Sequence, residues 1–106
     1  MTTTPDVFSA LASPVRRQLL VRLKKGPRTV TLLAKGLAIG RPAVSEHLQV
    51  LRKTRLVREV QRGRERYYHL DPRPMARVDA FVSAFSQYWQ QRLVDLEAVL
   101  DEEAAR

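Results

Sequence analysis

The chain has 106 residues, no cysteine, 44% apolar residues and a formal net charge of +8 at pH 7. That length supports one small domain of limited self-burial, for which a second copy of the chain is a natural source of extra core. The missing thiols exclude disulfides, thiolate metal sites and thiol redox sensing.

No apolar run approaches the roughly 20 residues needed to span a bilayer. Residues 1–6 lack the basic-then-apolar order of a signal peptide. No basic amphipathic helix stands out for a membrane surface, so no membrane partner is expected and the cytoplasm is the expected location. Charge is unevenly placed. Residues 1–77 hold 17 Lys/Arg against 5 Asp/Glu, whereas residues 78–106 hold 2 against 6. A basic body suits a polyanion, and an acidic tail segment suits protein contact.

In chain order, Thr4-Pro5 reads as the start of a short helix, with Thr as N-cap and Pro at the first helical position. Val7, Phe8 and Leu11 share one of its faces. Ser13-Pro14 repeats the signal and opens a helix to about Lys25, with Val15, Leu19, Leu20 and Leu23 inward. Gly26-Pro27 stops it. Thr29 caps a third helix with Val30, Leu33, Ala34 and Leu37 inward, and Gly36 weakens its end. Ala38-Ile39-Gly40 makes a tight connection to a fourth helix, which begins at Arg41-Pro42 and ends near Thr54. Its Val44, Leu48 and Leu51 fall within one narrow face at 100° per residue. Two helices joined by three or four residues make a helix-turn-helix.

Residues 56–61 and 66–70 are two β-rich runs around the turn Arg62-Gly63-Arg64, which predicts a β-hairpin. After Asp71-Pro72-Arg73-Pro74 a last helix is expected from about Pro74 to Leu100. At 1.5 Å per residue it spans roughly 40 Å, longer than this small domain needs for its own core. The apolar residues Val78, Phe81, Val82, Phe85, Tyr88, Trp89, Leu93, Leu96 and Leu100 recur along it every three or four positions. The fold class is mainly α with a small β-hairpin (α+β), a winged helix-turn-helix.

A helix that reads the major groove needs polar side chains near its N-terminus and basic groups beside it. With Val44, Leu48 and Leu51 inward, the fourth helix turns Pro42, Ser45, Glu46, Gln49 and Lys53 outward, with Arg41 at its tip. Arg41, Ser45, Glu46 and Gln49 are the base-reading candidates: Arg41 for guanine or phosphate, Gln49 for adenine, and Glu46 for cytosine N4. Arg52, Lys53 and Arg55 are better placed for phosphates. Arg62, Arg64 and Arg66 surround Gly63 at the hairpin tip and suit the minor groove or its rim. They also suit a charged edge strand that discourages aggregation.

Three stretches together resemble the ArsR-type winged-helix repressors. They are Phe8-Ser9-Ala10-Leu11-Ala12-Ser13-Pro14-Val15-Arg16-Arg17, Arg41-Pro42-Ala43-Val44-Ser45-Glu46-His47-Leu48-Gln49-Val50-Leu51-Arg52, and Gly63-Arg64-Glu65-Arg66-Tyr67-Tyr68-His69-Leu70-Asp71-Pro72. The resemblance spans about residues 5–100. It implies a homodimeric repressor of transcription that binds an inverted repeat in double-stranded DNA, often at its own promoter. It also implies a dimer interface built from the first and last helices: Val7, Phe8 and Leu11 with Phe81, Phe85, Tyr88, Trp89, Leu93 and Leu96. The chain departs from the family pattern at Ala38, where a small residue, often Gly, is usual. It departs also at Gly40, where Ser or Thr usually caps, and at Glu46, commonly Lys or Arg.

The whole chain, residues 1–106, is therefore expected to be one domain, with a DNA-binding core at 14–70 and dimerisation helices at 5–12 and 74–101. Many relatives of this type sense metals through cysteine pairs or Asp/His/Glu sets. Here residues 30–37 hold neither Cys nor His, and the last helix has Asp79, Asp95 and Glu97 but no His. No metal and no cofactor are expected. His47 is read as a core-flanking or phosphate-contacting residue. No nucleophile elbow, Gly-rich phosphate loop or HExxH helix is present, so the chain is not expected to be an enzyme. Two other readings stay open: a winged helix used for protein or RNA contact, and release by a small organic ligand near Phe85, Tyr88 and Trp89.

Overall fold

The computed structural model describes residues 5–106. It divides into two compact units, one ending at Ala76 and one spanning Arg77–Arg106.

In the first unit three of the four helices begin where a side chain can satisfy their orphan N–H groups. Asp6 caps α1 (Val7–Leu11): its carboxylate accepts from Ser9 N, and the Ser9 hydroxyl accepts from Asp6 N. Pro5 therefore lies outside the helix rather than at its first position, and Thr4, the N-cap read from the sequence, is outside the described residues. Asp6 wins because it closes the box at both ends. Ser13 caps α2 (Pro14–Leu23) with Pro14 at the first position, and Thr29 caps α3 (Val30–Ala34). α4 (Arg41–Lys53) starts on Gly40, which offers no side-chain bond.

The helix ends use glycine once as expected and once differently. Gly26 adopts φ +131 just beyond α2. Gly36, read as a weak point inside the third helix, instead takes φ +79 beyond its end, so α3 stops at Ala34. The connection to α4 is accordingly residues 35–40, six rather than three or four, and Leu37 lies past the helix.

The hairpin pairs β1 (Val57–Arg62) with β2 (Glu65–Leu70) antiparallel, with Arg62 opposite Glu65. Its two-residue loop is Gly63-Arg64. Positive φ at Gly63 (+60) but not at Arg64 is the type II′ pattern, whose twist matches the strands. β2 is pinned on its other edge by Arg28, which exchanges both backbone hydrogen bonds with Tyr68 at 2.8 and 3.2 Å.

Leu19, Leu33, Val44, Leu48, Leu51 and Leu56 are fully buried together with Val7, Ala10, Leu23, Val57 and Tyr68. Burying one such aliphatic side chain stabilises by about 1.5–3 kcal/mol, whereas an exposed ion pair gives about 0–1. The core therefore sets where the helices lie. Val7 is only 3% exposed and packs in the chain's own core, which corrects its reading as an interface residue. On α1, Val7 and Ala10 turn inward and Phe8 turns outward.

Short helices leave most carbonyls unpaired, and three arginines of α2 close them. Arg16 donates to Ser9 O and Ala10 O (3.1 and 2.8 Å), and Arg17 to Leu11 O (2.6 Å). Arg22 donates to Leu33 O and Lys35 O (2.8 and 2.6 Å) at the end of α3.

The second unit is carried by α5 (Met75–Ala104), a single 30-residue helix with no buried residue. It runs four residues past the expected end at Leu100, since Glu102, Glu103 and Ala104 are good helix formers. Within it the Phe81 and Phe85 rings lie 5.2 Å apart, Tyr88 and Trp89 meet edge-on at 5.5 Å, and Arg92 lies over Tyr88 at 4.8 Å. Among the described residues no helix is long and apolar enough to cross a membrane.

Candidate nucleic-acid interface

α4 is anchored by Val44, Leu48 and Leu51, and that stripe fixes what every other side chain of the helix can face. Pro42, Glu46, Gln49 and Lys53 are exposed on the opposite side. Arg41 and Ser45 lie on the flank towards the hairpin. There, with Arg64, Glu65, Arg66 and Tyr67, they line a groove of about 680 Å³ whose other lip is Thr29 and Thr31. One concave surface thus joins the start of α4 to the wing.

His47 lies on the other flank of α4. Its Nδ1 is 3.2 Å from Arg16 Nη1, and because arginine only donates, this nitrogen accepts. Of the two roles read for His47, this placement is the core-flanking one, because its ring is turned towards α2.

The basic residues fall into two sets. Arg41, Lys53 and Arg64 have no hydrogen bond or ion pair among the described residues, which leaves their whole charge facing solvent. Arg52 and Arg66 are instead held by one carboxylate. Glu59 Oε2 accepts from Arg52 Nη1 at 2.8 Å, and Glu59 Oε1 from Arg66 Nη1 at 3.0 Å. The Glu59 side chain is only 12% exposed, so this is the better-shielded end of both pairs. Arg52 also donates to Gln49 Oε1 (3.1 Å), and Arg66 Nε to Gln61 Oε1 (3.2 Å). Gln61 in turn donates to Gly63 O at the wing tip (2.9 Å). A continuous polar chain therefore runs from the outer face of α4 to the hairpin loop. Glu59 was not among the residues singled out from the sequence. The period-2 alternation that places buried Val57 inward also places Glu59 on that face, and this is the signal that marks it.

The wing has further contacts of its own. Arg62 lies over the Tyr67 ring at 5.7 Å, and the Tyr67 hydroxyl donates to Glu65 Oε2 at 3.0 Å. That hydrogen bond and the charge of Glu65 raise the Tyr67 phenol above its ordinary pKa, so it remains a neutral donor. At the hairpin's exit Asp71 is buried and accepts from Arg73 N, Nε and Nη2. Arg73 holds its carboxyl at about 2. Asp71 N donates to Leu56 O (2.8 Å), tying the end of β2 to the residue before β1. Arg55, grouped with the phosphate candidates, is the residue that turns the chain out of α4, with φ +64. Among the described residues no group of three or more His, Cys, Asp or Glu side chains could hold a metal ion.

A helix-turn-helix whose outer helix and basic wing share one concave face defines a winged-helix DNA-binding protein. Comparison with known proteins gives the family. The sequence model of the bacterial regulatory proteins of the arsR family matches residues 13–59. The chain is 39% identical over 101 residues to the HTH-type transcriptional regulator Rv2034 of Mycobacterium tuberculosis, covering 94% of this chain and 92% of that one. It is 33% identical over 66 residues to the transcriptional repressor SdpR of Bacillus subtilis (62% and 73% covered). Among solved structures, the ArsR family transcriptional regulator RHA00566 superposes with a TM-score of 0.69 at 34% identity, covering 78% of this chain and 91% of that one. This chain belongs to the ArsR family and is a DNA-binding transcriptional regulator, not an enzyme.

Proposed function

We propose that the protein is a cytoplasmic repressor that binds an inverted repeat as a homodimer, one α4 helix in each of two successive major grooves. The groove shared by Arg41, Ser45, Arg64 and Arg66 is the observation that carries this reading. It puts base-facing and phosphate-facing groups on one surface, where Leu32 is the one exposed large aliphatic side chain, less than the contiguous apolar patch that a protein-binding version would need. Arg41, Ser45, Glu46 and Gln49 read bases. Lys53, Arg62 and Arg64, with the outward nitrogens of Arg52 and Arg66, hold phosphates. The name of the Bacillus relative, a transcriptional repressor, supports repression.

For the dimer the support is α5. Phe81, Trp89 and Leu93 are each more than half exposed, and Phe85, Tyr88 and Leu96 share their side of the helix. An apolar strip this long on a single helix is expected to be covered in solution, and a second α5 is the matching surface. α1 adds Phe8 and the half-buried Leu11. Selection of bound sites from random duplex DNA tests the whole reading. It should return two half-sites related by a dyad with centres about 10 bp apart. An unpaired half-site, or no enrichment at all, would refute it.

A further inference from the structure

Gln49 was assigned above the role of reading a base, and the inference here rests on that role. An unrestrained glutamine reads adenine by donating to N7 and accepting from N6 at once, so it needs both ends of its amide. In this protein one lone pair of the amide oxygen is already engaged, and that contact sets which way the amide faces. Arg52 Nη1 lies 3.1 Å from Gln49 Oε1, and a guanidinium has no acceptor, so the oxygen must face Arg52 and the NH₂ must face away. Arg52 is itself fixed from below, since the same Nη1 meets Glu59 Oε2 at 2.8 Å. The Glu59 carboxylate is nearly enclosed, and Arg66 satisfies its other oxygen. A carboxylate at the bottom of the network, short of water and holding two cations, keeps both in place far better than an exposed pair would.

We infer that Glu59 is a positioning residue for sequence reading: through Arg52 it turns the Gln49 amide so that its oxygen faces Arg52 and its NH₂ leads towards DNA, which favours guanine or thymine acceptors over adenine. Glu59 touches no DNA in this arrangement. Its effect is on which base is chosen, because the amide oxygen is turned towards Arg52 and has only its second lone pair to offer adenine N6.

The test is site selection from random duplexes with four chains: wild type, Gln49→Ala, Arg52→Met and Glu59→Gln. The Gln49 position is the one whose preference flattens in Gln49→Ala. At that position the wild type should favour guanine or thymine over adenine. Arg52→Met, which frees the amide oxygen, should shift the ratio towards adenine by about fivefold or more. Glu59→Gln, which keeps the side chain's shape but weakens its hold on the arginines, should shift it the same way by less. A merely structural role would lower affinity for all four bases alike and leave the ratio unmoved. That result overturns the inference, as does a wild-type preference for adenine. If no position depends on Gln49 while an inverted repeat is still selected, the inference fails and the repressor reading survives. If nothing is enriched, both fail.

Discussion

Arg16 and His47 meet across the helix-turn-helix, with the guanidinium Nη1 3.2 Å from His47 Nδ1. The same guanidinium donates to Ser9 O and Ala10 O, so one side chain joins α1, α2 and the flank of α4. This contact turns His47 away from the outer face of its helix. It also closes the open end of a five-residue helix too short to hold together alone.

Arg16→Ala should therefore lower folding stability by about 2 kcal/mol, since a hydrogen bond to a charged group contributes roughly 1.5–3 kcal/mol net and this site is partly exposed. Arg16→Lys should restore little of the loss, because a single ammonium cannot match a fork that reaches three acceptors. Urea titrations of the three chains at one protein concentration decide it. A lysine chain as stable as the wild type would show that charge alone is enough.

Arg55→Gly should stabilise the protein. α4 ends with Leu56 N donating to Leu51 O (3.0 Å) and Arg55 N to Arg52 O (2.9 Å), the paired bonds of a Schellman motif. The residue between them sits at φ +64, where glycine is normally found. Left-handed backbone costs a non-glycine residue roughly 1–2 kcal/mol, and glycine's greater unfolded freedom offsets roughly 0.5–1 of that. A net gain of about 0.5–1 kcal/mol is expected in thermal or urea unfolding. A loss of stability would mean that the arginine side chain holds something more valuable than the turn it strains.

These two sites show what could be read from the chain before folding and what could not. Ser13, Thr29, Gly26 and Gly63 act on residues within three or four positions, so the caps and the hairpin turn were legible. The buried stripe Val44, Leu48, Leu51 was legible for the same reason. Arg16, Arg17 and Arg22 looked like surface charge for a polyanion, yet all three bond to backbone carbonyls 6–13 residues away. Such partners exist only once α1 and α3 have packed on α2. Glu59 was missed in a similar way, because neither of its arginines is a sequence neighbour. Val7 was misplaced because position i+3, here Ala10, and not i+1 completes the inward face of so short a helix.

Acid should weaken the fold partly through Asp71. Its carboxyl is held at about 2 by Arg73, against an ordinary 3.8. A depressed folded value means that the ionised form is the stabilising one. That contribution is complete above about pH 4 and is lost as pH falls from there through 2. In Asp71→Asn the stability should be lower near neutrality, and the difference from wild type should shrink across that interval. Unfolding measured at several pH values between 2 and 6 checks this. A constant difference would assign the effect to shape and not to charge.

Arg64 should contribute affinity without selectivity. It sits at the wing tip beside Gly63, with no partner among the described residues. Arg64→Ala should weaken binding to selected and random duplexes by similar factors. It should also lower the slope of log affinity against log salt by about 1, the signature of one lost phosphate contact. Arg62→Ala should act in the same direction but less, because Arg62 already lies over Tyr67. An unchanged slope in Arg64→Ala would take the wing off the phosphate backbone.

The aromatic strip of α5 gives the sharpest test of the dimer. Trp89 is 56% exposed and Phe85 41% exposed, one helical turn apart. A carboxylate introduced at either position would have to be buried without a partner if a second α5 covered it, a change that abolishes most interfaces. Phe85→Asp and Trp89→Asp should therefore sediment as monomers where the wild type sediments as a dimer. Neither substitution lies in α4 or the wing, so the DNA-facing side chains themselves are unchanged. Operator affinity should nonetheless fall by about 10²-fold or more, because the second half-site is no longer engaged from the same molecule. Affinity for a single half-site should stay close to that of the wild type. A wild-type chain that is already monomeric at micromolar concentration, or variants that stay dimeric, would remove α5 from the interface and leave the inverted-repeat geometry without a source of symmetry.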